Sequence, residues 1–440
     1  MEYSHAIAAL ESAIVFGVNP SLDGIRALTD ELGRPQDSFA SVQVTGTNGK
    51  SSTTRMIAAL LTAEGVATGT FTSPHLEAYT ERIELDGVPV SEDDFALAMA
   101  ASFDASAEIG AALFDLTEFE LLTAAALWLM RERDVAVACL EVGMGGLWDA
   151  TSVVDPAVAV ITGVGLDHTE RLGPTVEAIA ADKASIIKAG ASVVLGPGTA
   201  EVAGIFLERA ASLGLHPRFV AEGGAPSPVS HELTVRYEVV ERPSRPGGAL
   251  RLDVRGIHGE YTGLELTAPG YQAQNVATAV AAAECMLGRA LQPEAVREAL
   301  AAIRFPGRFE LVVENSPIVL DGAHNPQAAA VLATAVAEAW PTGERPWCVL
   351  GVLADKDVDG IVTALAPAVA GFFATQPDVA RALNAGVLAA RVAAVTGVWP
   401  EILPDLRQAI PFARAFSGEA GLLVTGSLYT VGEARAFLRS

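Results

Sequence analysis

Val44-Thr45-Gly46-Thr47-Asn48-Gly49-Lys50-Ser51-Ser52-Thr53-Thr54 joins an apolar run, Phe39 to Val44, to a helical pattern. That pattern keeps Met56, Ile57, Leu60 and Leu61 on one side and has Gly65 as its stop. Strand, glycine loop and helix in that order is the context in which such a run binds phosphate. Backbone N–H groups of the loop and of the helix N-terminus point at an anion, and Lys50 adds a mobile charge for the β- and γ-phosphates. Ser51 or Ser52 is placed to reach a phosphate-bound metal. The usual pattern wants glycine where Val44 stands. A glycine turn without a ligand would still not explain Gly-Lys-Ser directly after a strand. The run implies a site for a nucleoside triphosphate.

The chain has 440 residues, enough for two or three domains. Half of it is apolar (50%) and only 19% is charged, yet the net charge is −24. Nucleic acid and anionic membrane are excluded as partners, because both require a basic surface. An anionic substrate must then be held by local Lys, Arg or metal. Cys139, Cys285 and Cys348 lie far apart in apolar runs, with neither metal nor disulfide spacing, so buried thiols in a reducing compartment are expected. The first residues lack a basic leader region, and no apolar run reaches about 18 residues. The protein is expected in the cytoplasm, as a monomer.

Strands alternate with helices along the chain. Val66 to Thr72 reads as a strand, residues 91–133 largely as helices, and Val135 to Leu140 and Ala157 to Thr162 as short buried strands. This pattern predicts an α/β fold whose N-terminal domain holds a P-loop on a mostly parallel, doubly wound sheet. Residues 222–265 change character, with prolines, glycines and alternating stretches such as Leu233 to Val239; they are expected to form a small antiparallel β insertion flanking that sheet. A smaller, Rossmann-like α/β domain follows, with strands at Pro317 to Leu320, Trp347 to Val352, Gly371 to Thr375 and Gly421 to Thr425. Arg304-Phe305-Pro306-Gly307-Arg308 reads as the linker, giving domains at 1–304 and 305–440.

The strand ending at Glu141 is followed by Val142-Gly143-Met144-Gly145-Gly146. An acid at the end of a strand beside the P-loop suits magnesium, which takes oxygen ligands next to phosphates, and the glycines would let backbone approach a ligand. The following strand leads to Gly165-Leu166-Asp167-His168, and the carboxyl end of a strand in such a sheet is where ligands bind. Lys183 falls in a helix expected to begin at Pro174 and to be capped by Gly190. Ile179, Ile186 and Ile187 share its face, so Lys183 is expected to be buried, with its amine pushed toward the neutral form. Lys188 points elsewhere.

Thr45-Gly46-Thr47-Asn48-Gly49-Lys50, Ser73-Pro74-His75-Leu76, Glu81-Arg82-Ile83, Thr117-Glu118-Phe119-Glu120 and Glu141 to Gly146 occur in order. They continue with Gly165 to Thr169, Asp182-Lys183-Ala184, Pro306 to Glu310, Asp321-Gly322-Ala323-His324-Asn325-Pro326 and Gly426-Ser427-Leu428-Tyr429. In this set the chain resembles the folylpolyglutamate synthases, a family that includes bifunctional dihydrofolate synthases and belongs to the Mur ligase superfamily. The resemblance implies ATP-dependent ligation of L-glutamate to a folate or dihydropteroate carboxylate through an acyl phosphate. It assigns Thr47, Asn48, Gly49, Lys50 and Ser51 to the ATP phosphates, and Asn275, Arg308 and Asp321 to further nucleotide contacts. Ser73, Glu141 and His168 match magnesium ligands. Lys183 matches a lysine that carbon dioxide converts to a carbamate, which holds a second Mg²⁺. Lys50, Lys183 and His168 are the residues expected to carry the chemistry. Thr117, Glu118, Phe119, Glu120, Trp148, Asp149 and Ala150 match substrate-binding segments, and His324 falls where the incoming glutamate is expected.

The chain departs from the family pattern at Leu147, where an arginine is usual, at Asp182 for glutamate, at Ser185 for glycine and at Glu118 for an aromatic. The metal and phosphate set is intact, so the departures bear on substrate recognition. A peptidoglycan-type amino-acid ligase would carry a further domain before the P-loop, whereas 44 residues precede Thr45. A kinase or GTPase would lack the Asp321 to Pro326 segment, and no guanine-recognition motif is present. A non-catalytic nucleotide-binding module would be expected to have lost Lys50, Glu141 or Lys183.

Overall fold

The computed structural model describes residues 1–13, 20–110, 116–341, 343 and 345–440. Two compact units divide it: Met1–Glu238 with Asp253–Leu264 and Ala273–Ala301, and Val239–Leu252 with Glu265–Gln272 and Ala302–Ser440.

The first sheet is built from β1 (Ala40–Thr45), β2 (Thr68–Phe71), β3 (Ile83–Leu85), β4 (Val88–Pro89), β5 (Val137–Glu141) and β6 (Val158–Gly163). It continues with β7 (Ser192–Gly198), β8 (Arg218–Glu222), β9 (Thr234–Glu241), β10 (Ala249–Arg255) and β11 (Glu260–Thr267). Its order is β11-β10-β9-β8-β7-β6-β1-β5-β2-β3-β4. β1 is central and parallel to β5 on one side and β6 on the other. Parallel strands covered on both faces read as apolar runs, and Val42 and Val44 of β1 are fully buried. Its polar residues are equally buried and carry their own partners. Gln43 Nε2 donates to the hydroxyls of Thr151 (3.0 Å) and Ser152 (2.9 Å), and the Thr45 hydroxyl donates to Gly145 O (2.6 Å). These bonds tie the loop after β5 to the central strand.

The expected β insertion at residues 222–265 is formed by β9, β10 and β11, which flank the parallel strands at one end of the sheet, with β9 parallel to β8. Antiparallel pairing occurs at the other edge, where β3 joins β2 and β4. The helix Lys50–Ala63 follows the glycine loop, and Gly65, at φ +83°, ends it. Among the described residues of 91–133 are two helices, Glu92–Glu108 and Glu118–Glu132, which pack into a core with Leu121, Leu122, Leu129 and Met130.

The second sheet contains β12 (Glu310–Val313), β13 (Ile318–Asp321), β14 (Trp347–Leu350), β15 (Phe372–Ala374), β16 (Glu401–Ile402) and β17 (Leu422–Thr425), in the order β12-β13-β17-β14-β15-β16. The four expected strands are parallel neighbours within it. β12 adds an antiparallel edge and β16 a two-residue parallel one. Cys139 and Cys348 are buried free thiols, while Cys285 is half-buried. No helix among the described residues is long and apolar enough to cross a membrane.

Candidate active site

β5, β1 and β6 end side by side, so Glu141, the glycine loop and Gly163 stand at one edge of the sheet. The loop is fastened from below. Thr47 N–H donates to Gly163 O (3.0 Å), and its hydroxyl donates to Gly165 O (3.1 Å) and accepts from Gly165 N–H (2.9 Å). The Thr162 hydroxyl donates to Asn48 O (2.7 Å). The first N–H groups of the helix that follows have no partner within it, which makes its N-terminus an anion site. Gly49 caps that helix at φ +84°, a left-handed conformation that favours glycine. A side chain there would also meet Asn275 Oδ1 at 2.8 Å, so Asn275, buried on the helix Gln272–Leu287, lies against the loop.

Glu141 is 1% exposed and joins two segments. Its Oε1 accepts from the Ser51 hydroxyl (2.9 Å) and its Oε2 from Ser73 N–H (3.1 Å). Serine hydroxyls and a carboxylate are hard oxygen donors, the kind that magnesium takes. Among the described residues no three His, Cys, Asp or Glu side chains gather as a metal cage. This chemistry fits Mg²⁺, which keeps waters and phosphate oxygens and needs only one or two carboxylates. Glu141 and the Ser51 hydroxyl are the oxygen groups joined at this edge.

Lys183 is 3% exposed, and its Nζ donates to Gly46 O (3.1 Å). Burial, and then the Lys50 charge, push its pKa from 10.5 down to about 7, against the pull of Asp182, Asp167 and Asp149. Its helix differs from the expected one. Thr175 is the cap, with its hydroxyl accepting from Ala178 N–H (3.2 Å), and the helix spans Val176–Lys183 before a tighter turn at Ala184–Ile186. Pro174 thus precedes the cap, and Gly190 lies beyond both turns. Lys183 occupies the last helical position, and Ile179, Ile186 and Ile187 around it are fully buried. Lys188 does separate work, donating to Ser152 O (2.8 Å) and Val154 O (2.5 Å).

A cavity of about 420 Å³ adjoins this edge. Phe119, Met144, Trp148 and Leu172 give it apolar walls, and Ser73 and Asp182 line it too. Ser73 bonds Glu141, and Asp182 precedes Lys183, whose amine reaches Gly46 O, so the cavity adjoins the glycine loop there.

Residues 44–196 match the Mur ligase middle domain, and residues 307–428 match the Mur ligase, glutamate ligase domain. The chain is 35% identical to the dihydrofolate synthase/folylpolyglutamate synthase of Mycobacterium tuberculosis, over 95% of this chain and 90% of the relative. It is 33% identical to the folylpolyglutamate synthase of Lacticaseibacillus casei, over 100% and 99% of the two chains. The solved Mycobacterium tuberculosis folylpolyglutamate synthase complexed with ADP superposes with a TM-score of 0.90 at 33% identity, covering 100% of this chain and 99% of that one. The chain belongs to the folylpolyglutamate synthase/dihydrofolate synthase family of Mur ligases.

In this Mur ligase the residues matched to substrate binding have structural duties as well. Thr117 caps its helix in a reciprocal box: its hydroxyl accepts from Glu120 N–H (3.2 Å), and Glu120 accepts from Thr117 N–H (2.9 Å). Both line the cavity, as do Phe119, Trp148, Asp149 and Ala150. Glu118 faces Arg82 at 3.4 Å and is not part of the lining. The buried Asp149 carboxylate accepts from Met144 N–H and Thr151 N–H (3.0 Å each) and so braces the glycine-rich turn. Gly145, at φ +68°, is needed there because a side chain would collide with Asp182 Oδ1; it makes room for a carboxylate of the chain itself.

His168 is exposed and left-handed (φ +50°) at the start of the helical turn Thr169–Leu172. In the second unit Asp321 ends β13, and its buried carboxylate accepts from Phe309 N–H (2.8 Å), Ala323 N–H (2.9 Å) and the Tyr271 hydroxyl (3.2 Å). Burial raises its pKa, opposed by Arg308. His324, half-buried, holds Nδ1 2.8 Å from Gly322 O. Arg82, Arg171 and Asp182 line the cavity without having been expected to. Arg82 and Asp182 do stand in family motifs, whereas nothing in the sequence marks Arg171. His75, whose Nδ1 accepts from Arg82 Nε (2.9 Å), is held neutral by burial and by that guanidinium, with a pKa of about 4.

Proposed function

We propose that this chain is an ATP- and Mg²⁺-dependent ligase that joins L-glutamate to a folate-type carboxylate through an acyl phosphate. The observation that carries this reading is the meeting of an apolar-walled cavity with the phosphate edge at Ser73 and Asp182. A flat, largely apolar acceptor would fill the cavity and present its carboxylate where the γ-phosphate lies. A carboxylate is a poor electrophile, so its oxygen first takes the phosphoryl group and ADP leaves. The glutamate amine then attacks the carbonyl carbon, and phosphate departs to give the amide.

The loop amides and Lys50 hold the phosphates in line and stabilise the charge that develops on transfer. When bound, Mg²⁺ would supply further charge neutralisation, and Glu141 with the hydroxyls of Ser51 and Ser73 would hold it. His168 completes the donor set by family resemblance. Lys183 is the proposed carbamate. Its neutral amine adds to CO₂, forming an N–C bond and releasing one proton, and the product is a carboxylate facing the P-loop where an ammonium stood. Asn275, Arg308 and Asp321 are proposed nucleotide contacts, and His324 a glutamate contact.

The test is ADP release by the purified protein with L-glutamate and, in turn, dihydropteroate and tetrahydrofolate. Release that requires both glutamate and an acceptor is expected; release indifferent to glutamate would refute the assignment. Glu141→Gln is expected to raise the Mg²⁺ concentration needed for half-maximal rate and to lower the rate itself. Magnesium titrations of initial velocity check this, and an unchanged titration curve would remove Glu141 from the metal site.

A further inference from the structure

An acidic acceptor entering a protein of net charge −24 needs a cation that the protein has not already used. Five ionisable side chains line the cavity: Arg82, Glu120, Asp149, Arg171 and Asp182. Four of them are engaged internally. Glu120 accepts from Thr117 N–H and from its hydroxyl (2.9 Å each), Asp149 from Met144 N–H (3.0 Å), and Asp182 from Leu147 N–H (3.4 Å). Arg82 donates to His75, pairs with Glu118 and lies over the Tyr79 ring, 4.9 Å from its centre.

Arg171 is the exception: its side chain has no hydrogen-bond or ion-pair partner among the described residues. Its backbone is nevertheless fixed. The N–H groups of Arg171 and Leu172 both donate to His168 O at 2.9 Å, and Leu172 forms part of the cavity wall. Leu147, where the family pattern has arginine, is 46% exposed and brings no charge to this region. Among the described residues, the cavity cation left for a ligand therefore comes from a different segment.

We propose that Arg171 is a specificity-determining residue that binds the spectator carboxylate of an acceptor already carrying glutamate. The proposal rests on the ligase reading above. A glutamylated acceptor ends in two carboxylates; one is phosphorylated, and the other keeps its charge throughout. An acceptor without glutamate has only the carboxylate that reacts. A guanidinium at the cavity wall, with its fork of donors matched to a carboxylate, therefore favours the glutamylated acceptor.

The experiment compares wild type, Arg171→Ala and Arg171→Lys with tetrahydrofolate and with dihydropteroate, the latter as substrate or as competitive inhibitor. In Arg171→Ala the preference for tetrahydrofolate over dihydropteroate is expected to fall about tenfold, the effect of losing one charge-assisted contact in a partly solvated place. The loss should enter through KM, with kcat largely kept and Arg171→Lys intermediate. Equal changes for both acceptors, no change for either, or a wild type that accepts dihydropteroate alone overturns the proposal and leaves the ligase reading standing. Wild type that releases no glutamate-dependent ADP with either acceptor overturns the ligase reading itself.

Discussion

Lys183→Ala is expected to abolish measurable ligation while leaving the protein folded, and short-chain carboxylic acids are expected to restore part of the rate. The amine lies 3.1 Å from Gly46 O of the P-loop, and Lys183 is almost wholly buried. As an ammonium it would bring charge but no ligand for a metal; as a carbamate it becomes a carboxylate at the same place. A small acid diffusing into the space that the truncated side chain leaves would replace that group. The sign of the pH effect follows from the depressed pKa. With a folded value of about 7 against 10.5 ordinarily, the reactive neutral amine is half-formed near pH 7 and increases above it. Activation by added bicarbonate should therefore weaken as pH falls below 7. For the same reason the buried ammonium costs stability in full below about pH 7, and the cost fades as pH rises toward 10.5. If Lys183 is instead a cationic phosphate contact, Lys183→Arg keeps substantial activity and carboxylic acids do nothing; steady-state rates of the two variants with and without acetate separate the cases.

Lys50→Ala is expected to lose about 10²–10³ in kcat, the range found when one donor to a developing charge is removed. The one hydrogen bond of its side-chain amine among the described residues is a long one, 3.5 Å to Thr47 O, so the loop loses little internal support with it. A second effect compounds the first. The Lys50 charge helps hold Lys183 below its ordinary pKa, so the variant should also need a higher pH to carbamylate Lys183. Turnover at saturating ATP, followed from about pH 6 to 9 beside a thermal melt, checks both effects. Wild-type turnover in a folded variant would show that the phosphate site lies elsewhere.

Local chemistry made the phosphate edge legible in the sequence. The loop at residues 46–49 needs glycine at a left-handed position, and Glu141 closes a run of strand residues, so both announce themselves within a few positions. The helix bearing Lys183 was harder. Pro174 and Gly190 are plausible ends, but Thr175 supplies the hydroxyl that caps it, and the chain tightens after Lys183 where the isoleucines turn into the core. Thr117-Glu118-Phe119-Glu120 stood out by its family resemblance, and the structure adds the capping box that Thr117 and Glu120 close. β3, β4, β12 and β16 span two to four residues each, too short for an alternation to show. The cavity was the least legible part. Arg82, Arg171 and Asp182 come from segments whose meeting is set by the sheet, and no local pattern marks an arginine that will be left without a partner.

The central claim is that the acceptor carboxylate is activated by direct phosphoryl transfer, and oxygen labelling tests it most directly. The acceptor is prepared with ¹⁸O in its reactive carboxylate and turned over with ATP, Mg²⁺ and L-glutamate, and the inorganic phosphate is analysed by mass spectrometry. One labelled oxygen per phosphate, in step with amide formation and with ADP as the nucleotide product, is the predicted result. Unlabelled phosphate, or AMP and pyrophosphate in place of ADP and phosphate, would contradict it.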